Sequence, residues 1–441
     1  MSLENNKYYL QCRECKHEIS GLKEWFESRQ KCPECGNKWV DAKYHDDAEK
    51  IRDLILNNSG DPNSVFYYFD FLPILDEENI ITRGEGVIPV ENWTFLEQFA
   101  KEKYNLDITV NVYRNDLNQG TNTFKDVAAS VAASALKENG INQYAVASTG
   151  NIASAFSHYL ALADINLSVF MPNDALKANE SEVSAYGQQV FRVNGDYAAA
   201  KKVAADYSSK YNILLSGGNT DPMRVEAKKT MVFEWLRQTG ELPGVYIQAL
   251  SGGTGPIAIE KGCDEIQELG LFDKRPRYIM VQPDGCDPMT AGWNDAKAKG
   301  FPEGWEKVYP IYENPTTAVP TLATGNPATF PIIASIVKQS GGEIITTKES
   351  ETADIARLVV FEKGVKIGPA STVAVNGFFE ALKQDLIKDG ENVLINIGES
   401  MNRAPELLSE MIYTTKLVDS VNDCTPPDRE TYRKLLWNKF A

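Results

Sequence analysis

The sequence predicts an α/β protein with mostly parallel, doubly wound sheets, preceded by a small cysteine-rich module. Short apolar runs alternate with alanine-rich amphipathic segments such as DVAASVAASALKEN (126–139). Strands buried on both faces of a parallel sheet read as continuous apolar runs, and helices connect them. A pair of CxxC motifs before residue 42 indicates a separate module. The predicted strands are 108–113, 144–147, 167–171, 189–193, 245–250, 278–283 and 392–397.

Length and charge limit the classes of protein to consider. A chain of 441 residues predicts two or three domains. No apolar run reaches the roughly 18–20 residues of a membrane span, and the first residues, MSLENNKYYLQC, lack a signal-peptide pattern. We therefore expect a cytoplasmic protein without a membrane partner. The net charge of −16 argues against a nucleic-acid partner but leaves small anionic ligands open.

Four cysteines in residues 1–42 have the spacing of a metal site. Cys12 and Cys15 form one CxxC pair, and Cys32 and Cys35 form the second. In a cytosolic chain this spacing predicts a tetrahedral zinc ribbon rather than two disulfides, and four thiolates leave no open position for catalysis. The alternative is a small module with four reduced cysteines and no metal.

The remaining cysteines, Cys263, Cys286 and Cys424, are isolated, and three histidines are dispersed, so we expect no second metal site. Residues 293–330 are rich in proline and glycine. This composition predicts a long loop over or beside a binding site.

Ligands of open α/β sheets bind beyond the carboxyl ends of strands, where helices begin, so the strand-to-helix loops matter most. The first is ASTGN (147–151), between a predicted strand and the helix IASAFSHYLALA. Ser148, Thr149 and nearby backbone amides could hold a carboxylate, and Asn151 offers a carboxamide. By itself the pattern is equally typical of a helix cap.

The second loop is SGGTGP (251–256), which follows the strand VYIQAL and opens a helix. A glycine-rich turn at a helix N-terminus lets backbone N–H groups converge on a phosphate. The loop lacks the Lys-Ser/Thr ending of a nucleotide P-loop and the dinucleotide GxGxxG spacing. A plain tight turn is the alternative.

The third stretch is GTNTFKDVAAS (120–130), which places Lys125 in the first turn of a predicted helix. The helix dipole disfavours a cation there, so an exposed lysine would gain nothing from this position. The same field helps to keep an amine neutral, as a lysine that forms an imine requires. A surface charge at a helix start remains the alternative.

Together the three stretches offer a phosphate cradle, a carboxamide and a lysine, which are the parts of a pyridoxal phosphate (PLP) site. The chain also resembles the threonine synthases within the fold type II (tryptophan synthase β-like) PLP enzymes. The matching segments, in the order of that family and spanning about residues 82–400, are TRGEGVIPV (82–90), TNTFKDVA (121–128), ASTGN (147–151), NTDPMRVEAKKT (219–230), SGGTGPIAIEKG (251–262) and TGNPATFP (324–331).

The resemblance implies a role for each matched residue. Lys125 would carry the cofactor, Asn151 would contact its ring hydroxyl, and Ser148 with Thr149 would bind the substrate carboxylate. The backbone amides of Gly252, Gly253, Thr254 and Gly255 would hold the cofactor phosphate. It also implies a zinc ribbon over 1–42, a large PLP-binding domain over 43–130 and 216–441, a small domain over 131–215, and a homo-oligomer.

The sequence departs from the threonine synthase pattern at several positions that we expect to lie at the site. Val127 replaces the arginine of "FKDR", and Ile88 replaces the threonine of "GEGxTPL". The late "LTG" loop reads INIGES (395–400), so Ile397 stands where a threonine would face the pyridine nitrogen. Asn396 and Ser400 are both candidates to replace that threonine.

These departures favour a different phosphorylated amino acid as substrate. Cysteate synthases, which resemble threonine synthases, use O-phosphoserine and sulfite, and this reaction is our first hypothesis. Threonine synthase activity and a non-catalytic PLP-binding protein are the alternatives. The candidates for binding the anionic substrates are Arg83, Arg114, Arg224, Lys228 and Lys229, and Arg224 is preferred because it follows a loop in a matched segment.

Overall fold

The computed structural model describes residues 7–45, 48–148, 150–173, 175–410 and 416–440. The strands are β1 (Tyr8–Cys12), β2 (Glu18–Ile19), β3 (Val40–Tyr44), β4 (Val90–Asn92), β5 (Thr109–Tyr113), β6 (Gln143–Ala147), β7 (Asn166–Pro172), β8 (Gln189–Val193), β9 (Leu214–Leu215), β10 (Val245–Ala249), β11 (Arg277–Pro283), β12 (Glu343–Thr347) and β13 (Asn392–Asn396). The α-helices are α1 (Leu22–Glu27), α2 (Ala48–Leu56), α3 (Thr94–Tyr104), α4 (Lys125–Glu138), α5 (Asn151–Leu162), α6 (Lys177–Ala185), α7 (Tyr197–Tyr211), α8 (Pro222–Thr239), α9 (Thr254–Glu268), α10 (Pro288–Ala298), α11 (Phe330–Gln339), α12 (Thr352–Lys363), α13 (Pro369–Lys383), α14 (Pro405–Glu410) and α15 (Arg429–Lys439).

The larger sheet has six strands in the order β12-β11-β10-β13-β5-β4. All neighbours are parallel except the edge strand β4, which is antiparallel to β5. Successive residues of β10 pack on opposite sides: Val245 and Ile247 join the core that contains α13, whereas Tyr246 joins the core that contains α8 and α9. The sheet is therefore covered by helices on both faces, which explains its continuous apolar strands.

A second, fully parallel sheet has four strands in the order β8-β7-β6-β9, all drawn from residues 143–215. Its central strands β6 and β7 are apolar and mostly buried, while the edge strand β8 (QVFRV) is largely exposed. The helices that pack against it are rich in alanine, and this small side chain allows close helix–strand contact. This sheet confirms the predicted α/β alternation in the middle of the chain.

The N-terminal cysteine module is a three-stranded antiparallel sheet in the order β2-β1-β3. Side chains fasten it to the body of the protein. The Arg29 guanidinium donates to the side chain of Asn212 at 3.0 Å, and the Tyr44 hydroxyl donates to Glu226 at 3.0 Å. Glu226 in turn belongs to a buried ion cluster with Lys229. The module therefore packs against α8 and against the end of α7.

All seven predicted strands are confirmed, each to within one residue at either end. Outside the cysteine module, whose strands β1, β2 and β3 were not predicted individually, three strands were missed, β4, β9 and β12. β4 and β9 have three and two residues, too few for a periodic pattern to emerge.

The predicted loop over 293–330 is wrong at its start, because residues 293–298 complete α10. WNDAKA contains good helix formers, and Pro288 at the first turn favours that helix. Within the described residues, no helix is long and apolar enough to cross a membrane.

Candidate active site

The three predicted loops line one cavity of about 590 Å³. It lies where β6 and β10 end and where α4, α5 and α9 begin, as expected for a ligand site of an open α/β sheet. Residues 321–329, from the predicted long loop, also line it. The predicted site residues that line it are Lys125, Ser148, Asn151, Arg224, Gly252, Gly253, Thr254 and Gly255. Thr149 lies outside the described residues.

The turn before α4 presents Lys125 to this cavity. The buried carboxylate of Asp126 accepts hydrogen bonds from the backbone N–H groups of Thr121 at 3.0 Å and Thr123 at 3.1 Å, and from the Thr121 hydroxyl at 2.7 Å. The Thr123 hydroxyl accepts from the Lys125 N–H at 3.0 Å. The residues around Lys125 thus fix the backbone that carries the amine, which explains the T-x-T-F-K-D pattern.

The surroundings of Lys125 favour the neutral form of its amine. Burial, and next the positive charge of Arg224, lower its pKa to about 7, against an opposing effect of Glu399. The Nζ atom lies 3.4 Å from the centroid of the Phe124 ring. An amine with this pKa is about half neutral near pH 7 and becomes mostly neutral as the pH rises further, and the neutral form can act as a nucleophile or base.

The glycine loop between β10 and α9 leaves an open helix N-terminus facing the cavity. Gly253 has a φ of 85°, in the left-handed region that favours glycine. A Cβ on Gly252 would lie 2.2 Å from Nδ2 of Asn219, so a larger residue would have to displace the Asn219 side chain, which accepts from the Thr254 hydroxyl at 2.8 Å. No described side chain caps α9. These features leave backbone N–H groups open at the helix start, an arrangement that suits a phosphate.

The loop at the start of α5 is shaped by Ser148. Its hydroxyl accepts a hydrogen bond from the backbone N–H of Gly150 at 3.1 Å. Asn151 is the first residue of α5, and its side chain contacts Glu399 and Arg403. The helix-cap alternative is not supported, because no described side chain caps α5.

The structure separates the five cationic candidates, all of which it describes. Arg114 forms ion pairs with Asp116 and Glu91, and Lys229 pairs with Glu226, so neither is free for a ligand. Arg83 is exposed and is not part of the cavity lining.

Arg224 and Lys228 lie one turn apart on α8, and both are buried basic residues; Arg224 Nε and Lys228 Nζ have no described hydrogen-bond partner. The Arg224 side chain lines the cavity, and its buried Nε donates to no described residue. Lys228 is 0% exposed, its Nζ has no described partner, and burial lowers its pKa well below the usual value. An unpaired buried cation at a cavity wall favours an anionic ligand.

Charge around the cavity is opposite to that of the whole chain. Besides Lys125, five cationic side chains line it, and two acidic ones, Asp221 and Glu399. One oxygen of Asp221 accepts from the Met223 N–H at 3.0 Å and so caps α8. The cationic residues are Arg29, Lys31, Lys38, Lys201 and Arg224. Three of them come from the cysteine module, a contribution that the sequence did not predict.

Three positions where the sequence departs from the threonine synthase pattern do not line the cavity. Ile88, Val127 and Ile397 are buried in hydrophobic cores, and none lines the cavity. The expectation that these changes lie at the site is therefore wrong, because apolar side chains at these positions pack inward. Of the two predicted substitutes, Asn396 lines the cavity, whereas the Ser400 hydroxyl accepts from the Asn402 N–H.

Glu399 and Arg403 are two site residues that sequence reasoning missed. Glu399 lines the cavity and is 2% exposed, and burial raises the pKa of its carboxyl group. Arg403 is buried beside Asn151. The available signal was two charged residues shortly after the apolar strand β13, which ends at Asn396, because charged side chains are seldom buried unless they are paired.

The four cysteines of the module come together as predicted. Their Sγ atoms all lie within 4.8 Å of one another. Cys12 and Cys35 approach to 3.5 Å, and Cys15 and Cys32 to 3.6 Å. Cys263 and Cys286 are buried, and Cys424 is exposed; among the described residues no further group of three or more metal-ligating side chains occurs.

Known proteins with similar sequences are amino-acid synthases. The chain is 30% identical to the cysteate synthase of Methanococcoides burtonii over 428 residues, which cover 92% of this chain and 96% of the relative. It is 25% identical to the threonine synthase of Methanocaldococcus jannaschii over 360 residues, which cover 80% and 85%. In fold it is similar to the cysteine synthase of Entamoeba histolytica, with a TM-score of 0.59 at 16% identity over 81% of this chain and 93% of that chain.

The residues of the cavity fit PLP. A buried lysine with a lowered pKa, an uncapped helix end behind glycines that a Cβ would block, and a carboxamide line the same space. A family model described as "Pyridoxal-phosphate dependent enzyme" matches residues 81–398, which include all these loops. The chain therefore belongs to the pyridoxal-phosphate dependent enzymes.

Proposed function

We propose that the protein is a cysteate synthase, which replaces the phosphate of O-phosphoserine with sulfite to give L-cysteate and phosphate. The observation that carries the proposal is the cationic lining of the cavity beside Lys125, in a chain of net charge −16. Both substrates are anions, so this local field favours their binding. The likeness to the M. burtonii cysteate synthase over 92% of the chain supports the same choice.

PLP, when bound, withdraws electrons from the substrate Cα and so makes the Cα proton acidic. Lys125 is the base that we propose for this proton, because its pKa of about 7 leaves the amine neutral near physiological pH. Loss of that proton is followed by cleavage of the Cβ–O bond, and phosphate leaves with the electron pair. The sulfur lone pair of sulfite then forms the Cβ–S bond, and Lys125 returns the proton to Cα.

Other residues of the cavity bind the two ends of the substrate in this proposal. Ser148, Thr149 and the open N-terminus of α5 bind the substrate carboxylate. Arg224 binds the phosphate that leaves and then the sulfite that replaces it. Its buried, unpartnered Nε supports this role, since an arginine presents several N–H groups to an oxyanion.

The lowered pKa of Lys125 predicts how the apoprotein reacts with PLP. An amine attacks an aldehyde only when it is neutral, so the rate should rise with pH through about 7 and then level off. Rapid-mixing absorbance between pH 5.5 and 9.5 measures this rate. Arg224→Ala removes one cause of the lowered pKa, so its midpoint should move to higher pH. A wild-type rate that still increases tenfold per unit above pH 9 would contradict the assignment.

Threonine synthase is the second candidate, supported by the 25% identity to the M. jannaschii enzyme and by the matched segments. Its reaction removes phosphate from Cγ of O-phosphohomoserine and adds water at Cβ, so it needs more proton transfers than the cysteate reaction. A non-catalytic PLP-binding protein is disfavoured by the likeness to cysteate and threonine synthases over 92% and 80% of the chain.

One experiment separates these candidates. The PLP-loaded protein is offered O-phosphoserine or O-phosphohomoserine, each with and without sulfite, while phosphate release and amino-acid products are measured. We expect cysteate and phosphate from phosphoserine only when sulfite is present. Threonine from phosphohomoserine, without a sulfite-dependent product, would overturn the proposal in favour of threonine synthase. No release under any condition would favour the binding protein.

We further propose that the cysteine module holds one structural zinc ion through Cys12, Cys15, Cys32 and Cys35. Tetrahedral zinc with Zn–S distances of about 2.3 Å requires neighbouring sulfurs about 3.8 Å apart. The observed separations of 3.5 and 3.6 Å between pairs of Sγ atoms support this geometry. Four thiolates complete the coordination shell, so the ion would be structural and not catalytic.

Zinc analysis of cysteine variants tests this proposal. We expect about one zinc per wild-type chain and a clear loss of zinc in Cys15→Ser, because three thiolates bind the ion less tightly. Cys424→Ser is the matched control, since this exposed cysteine lies far from the module in sequence. Cys15→Ser should also unfold at a lower temperature. A metal-free wild-type protein of full stability would rule out the site.

The organisation of the chain is also a proposal. We assign residues 43–130 and 216–441 to a large PLP-binding domain and 131–215 to a small one, since the four-stranded sheet arises within 143–215. We also propose a cytoplasmic homo-oligomer. Light scattering of the purified protein measures its mass against the 49.0 kDa of one chain.

A further inference from the structure

The loop after β13 contributes two buried, oppositely charged residues that both contact Asn151. One carboxylate oxygen of Glu399 accepts from the Asn151 side-chain amide, and Arg403 Nε donates to the Asn151 carbonyl oxygen at 3.3 Å. The carboxamide is thus bonded at both ends. Because ionised Glu399 only accepts and Arg403 only donates, the orientation of the carboxamide is determined.

The amide nitrogen of Asn151 has two N–H groups, and Glu399 takes one of them. The second N–H remains available, and Asn151 lines the cavity that also holds Lys125 and the glycine loop. A carboxamide turned the other way would present an oxygen acceptor to the same space. Glu399 and Arg403 therefore decide whether a donor or an acceptor faces the ligand.

Both charged residues are themselves anchored. The other carboxylate oxygen of Glu399 accepts from the Ala370 N–H at 2.7 Å, at the start of α13. The Arg403 guanidinium donates to Ser154 on α5 at 2.7 Å and to Asn179 on α6 at 2.9 Å, and it pairs with Glu182 at 2.5 Å. Both oxygens of Glu399 and all three nitrogens of the Arg403 guanidinium have partners, so neither side chain can turn without breaking several hydrogen bonds.

We propose that Glu399 and Arg403 are positioning residues that hold the Asn151 carboxamide with an N–H directed at the ring oxygen of bound PLP. The proposal rests on the cofactor contact assigned to Asn151 and not on the choice of substrate. A donor fixed in this way suits an oxygen that carries negative charge, and it disfavours a ligand without that oxygen.

Glu399→Gln is the sharpest change, because glutamine has the same shape but one acceptor oxygen. The carboxylate of Glu399 accepts two hydrogen bonds, from Ala370 and from Asn151. A glutamine that keeps the bond to Ala370 presents its own NH₂ to Asn151. Two donors then face each other, and the carboxamide turns its oxygen toward the cavity.

The experiment compares PLP with its 3-deoxy analogue, which lacks the ring hydroxyl. Binding of each to the apoprotein is followed by absorbance and tryptophan fluorescence. We expect Glu399→Gln and Arg403→Met to weaken PLP about 10- to 100-fold, as for the loss of a charge-assisted contact. Their affinity for the analogue should stay within about threefold of wild type, since it has no oxygen to receive the N–H.

A control variant separates positioning from scaffolding. Glu182→Gln breaks the ion pair of Arg403 without touching Asn151, so it should lower the melting temperature and leave PLP affinity near wild type. Melting curves of each apoprotein establish that it is folded, and Arg403→Lys replaces Arg403→Met if the latter is not. Equal weakening of PLP and the analogue, or no weakening of PLP in either folded variant, would overturn the proposal.

Discussion

Replacing Lys125 with alanine should abolish both the visible absorption band of the PLP-loaded enzyme and its turnover. The amine is the group that would bind the cofactor covalently and then carry the Cα proton, so its loss removes two functions at once. General acid–base catalysis alone contributes about 100- to 10,000-fold. Absorbance of the dialysed protein and phosphate release from O-phosphoserine are the measurements.

Lys228→Met provides the matched control for this prediction. Lys228 is a second buried amine with a strongly lowered pKa, and its Nζ lies 5.2 Å from the same Phe124 ring. If Lys125 carries the cofactor, Lys228→Met keeps the band. An absorption band that survives in Lys125→Ala and disappears in Lys228→Met would show that Lys228 carries the cofactor, and it would refute the prediction.

Arg224→Ala should reduce phosphate release about 30- to 1000-fold while the absorption band stays nearly unchanged. Loss of a charge-assisted contact to the leaving phosphate acts on the transition state, whereas in our proposal Lys125 and the glycine loop hold the cofactor. Because Arg224 also lowers the pKa of Lys125, rates are measured up to pH 9. If the rate of phosphate release by Arg224→Ala stays low at high pH, where it no longer changes with pH, the loss is due to weaker anion binding and not to the pKa of Lys125.

Lys201→Ala is the control for a general effect of charge, since Lys201 lies at the cavity rim and is exposed. It should weaken substrate binding slightly and show greater loss at low salt, as expected for a solvated charge. Arg224→Lys should recover part of the rate, because an ammonium keeps the charge without the planar donor set. Equal effects of Lys201→Ala and Arg224→Ala would contradict a specific role for Arg224.

The parts of the site that could be predicted from sequence are those encoded by short segments. The strand before each loop, the glycines of 251–255 and the position of Lys125 at a helix start are set by neighbouring residues. Asp126, for example, bonds to Thr121 and Thr123 in the same turn. Local hydrogen bonds and backbone conformations of this kind require particular residues at nearby positions, so they can be recognised in the sequence.

Cationic residues illustrate what sequence order could not resolve. From the sequence alone, Arg114, Arg224 and Lys229 are equally plausible ligands of an anion. The fold pairs Arg114 with Glu91 and Lys229 with Glu265, which lie 23 and 36 residues away, and leaves Arg224 at the cavity. Whether a buried charge is satisfied depends on partners that only folding brings near.

The sequence by itself determined the α/β architecture, the cysteine tetrad, and the lysine, carboxamide and glycine loop of a PLP site, because periodicity and spacing encode each of them locally. Tertiary structure decided which charges face the ligand. It placed three cations of the cysteine module at the cavity and joined Asn151 to Glu399 across 248 residues. Burial and charge pairing are long-range properties of the packed chain, so no local pattern records them.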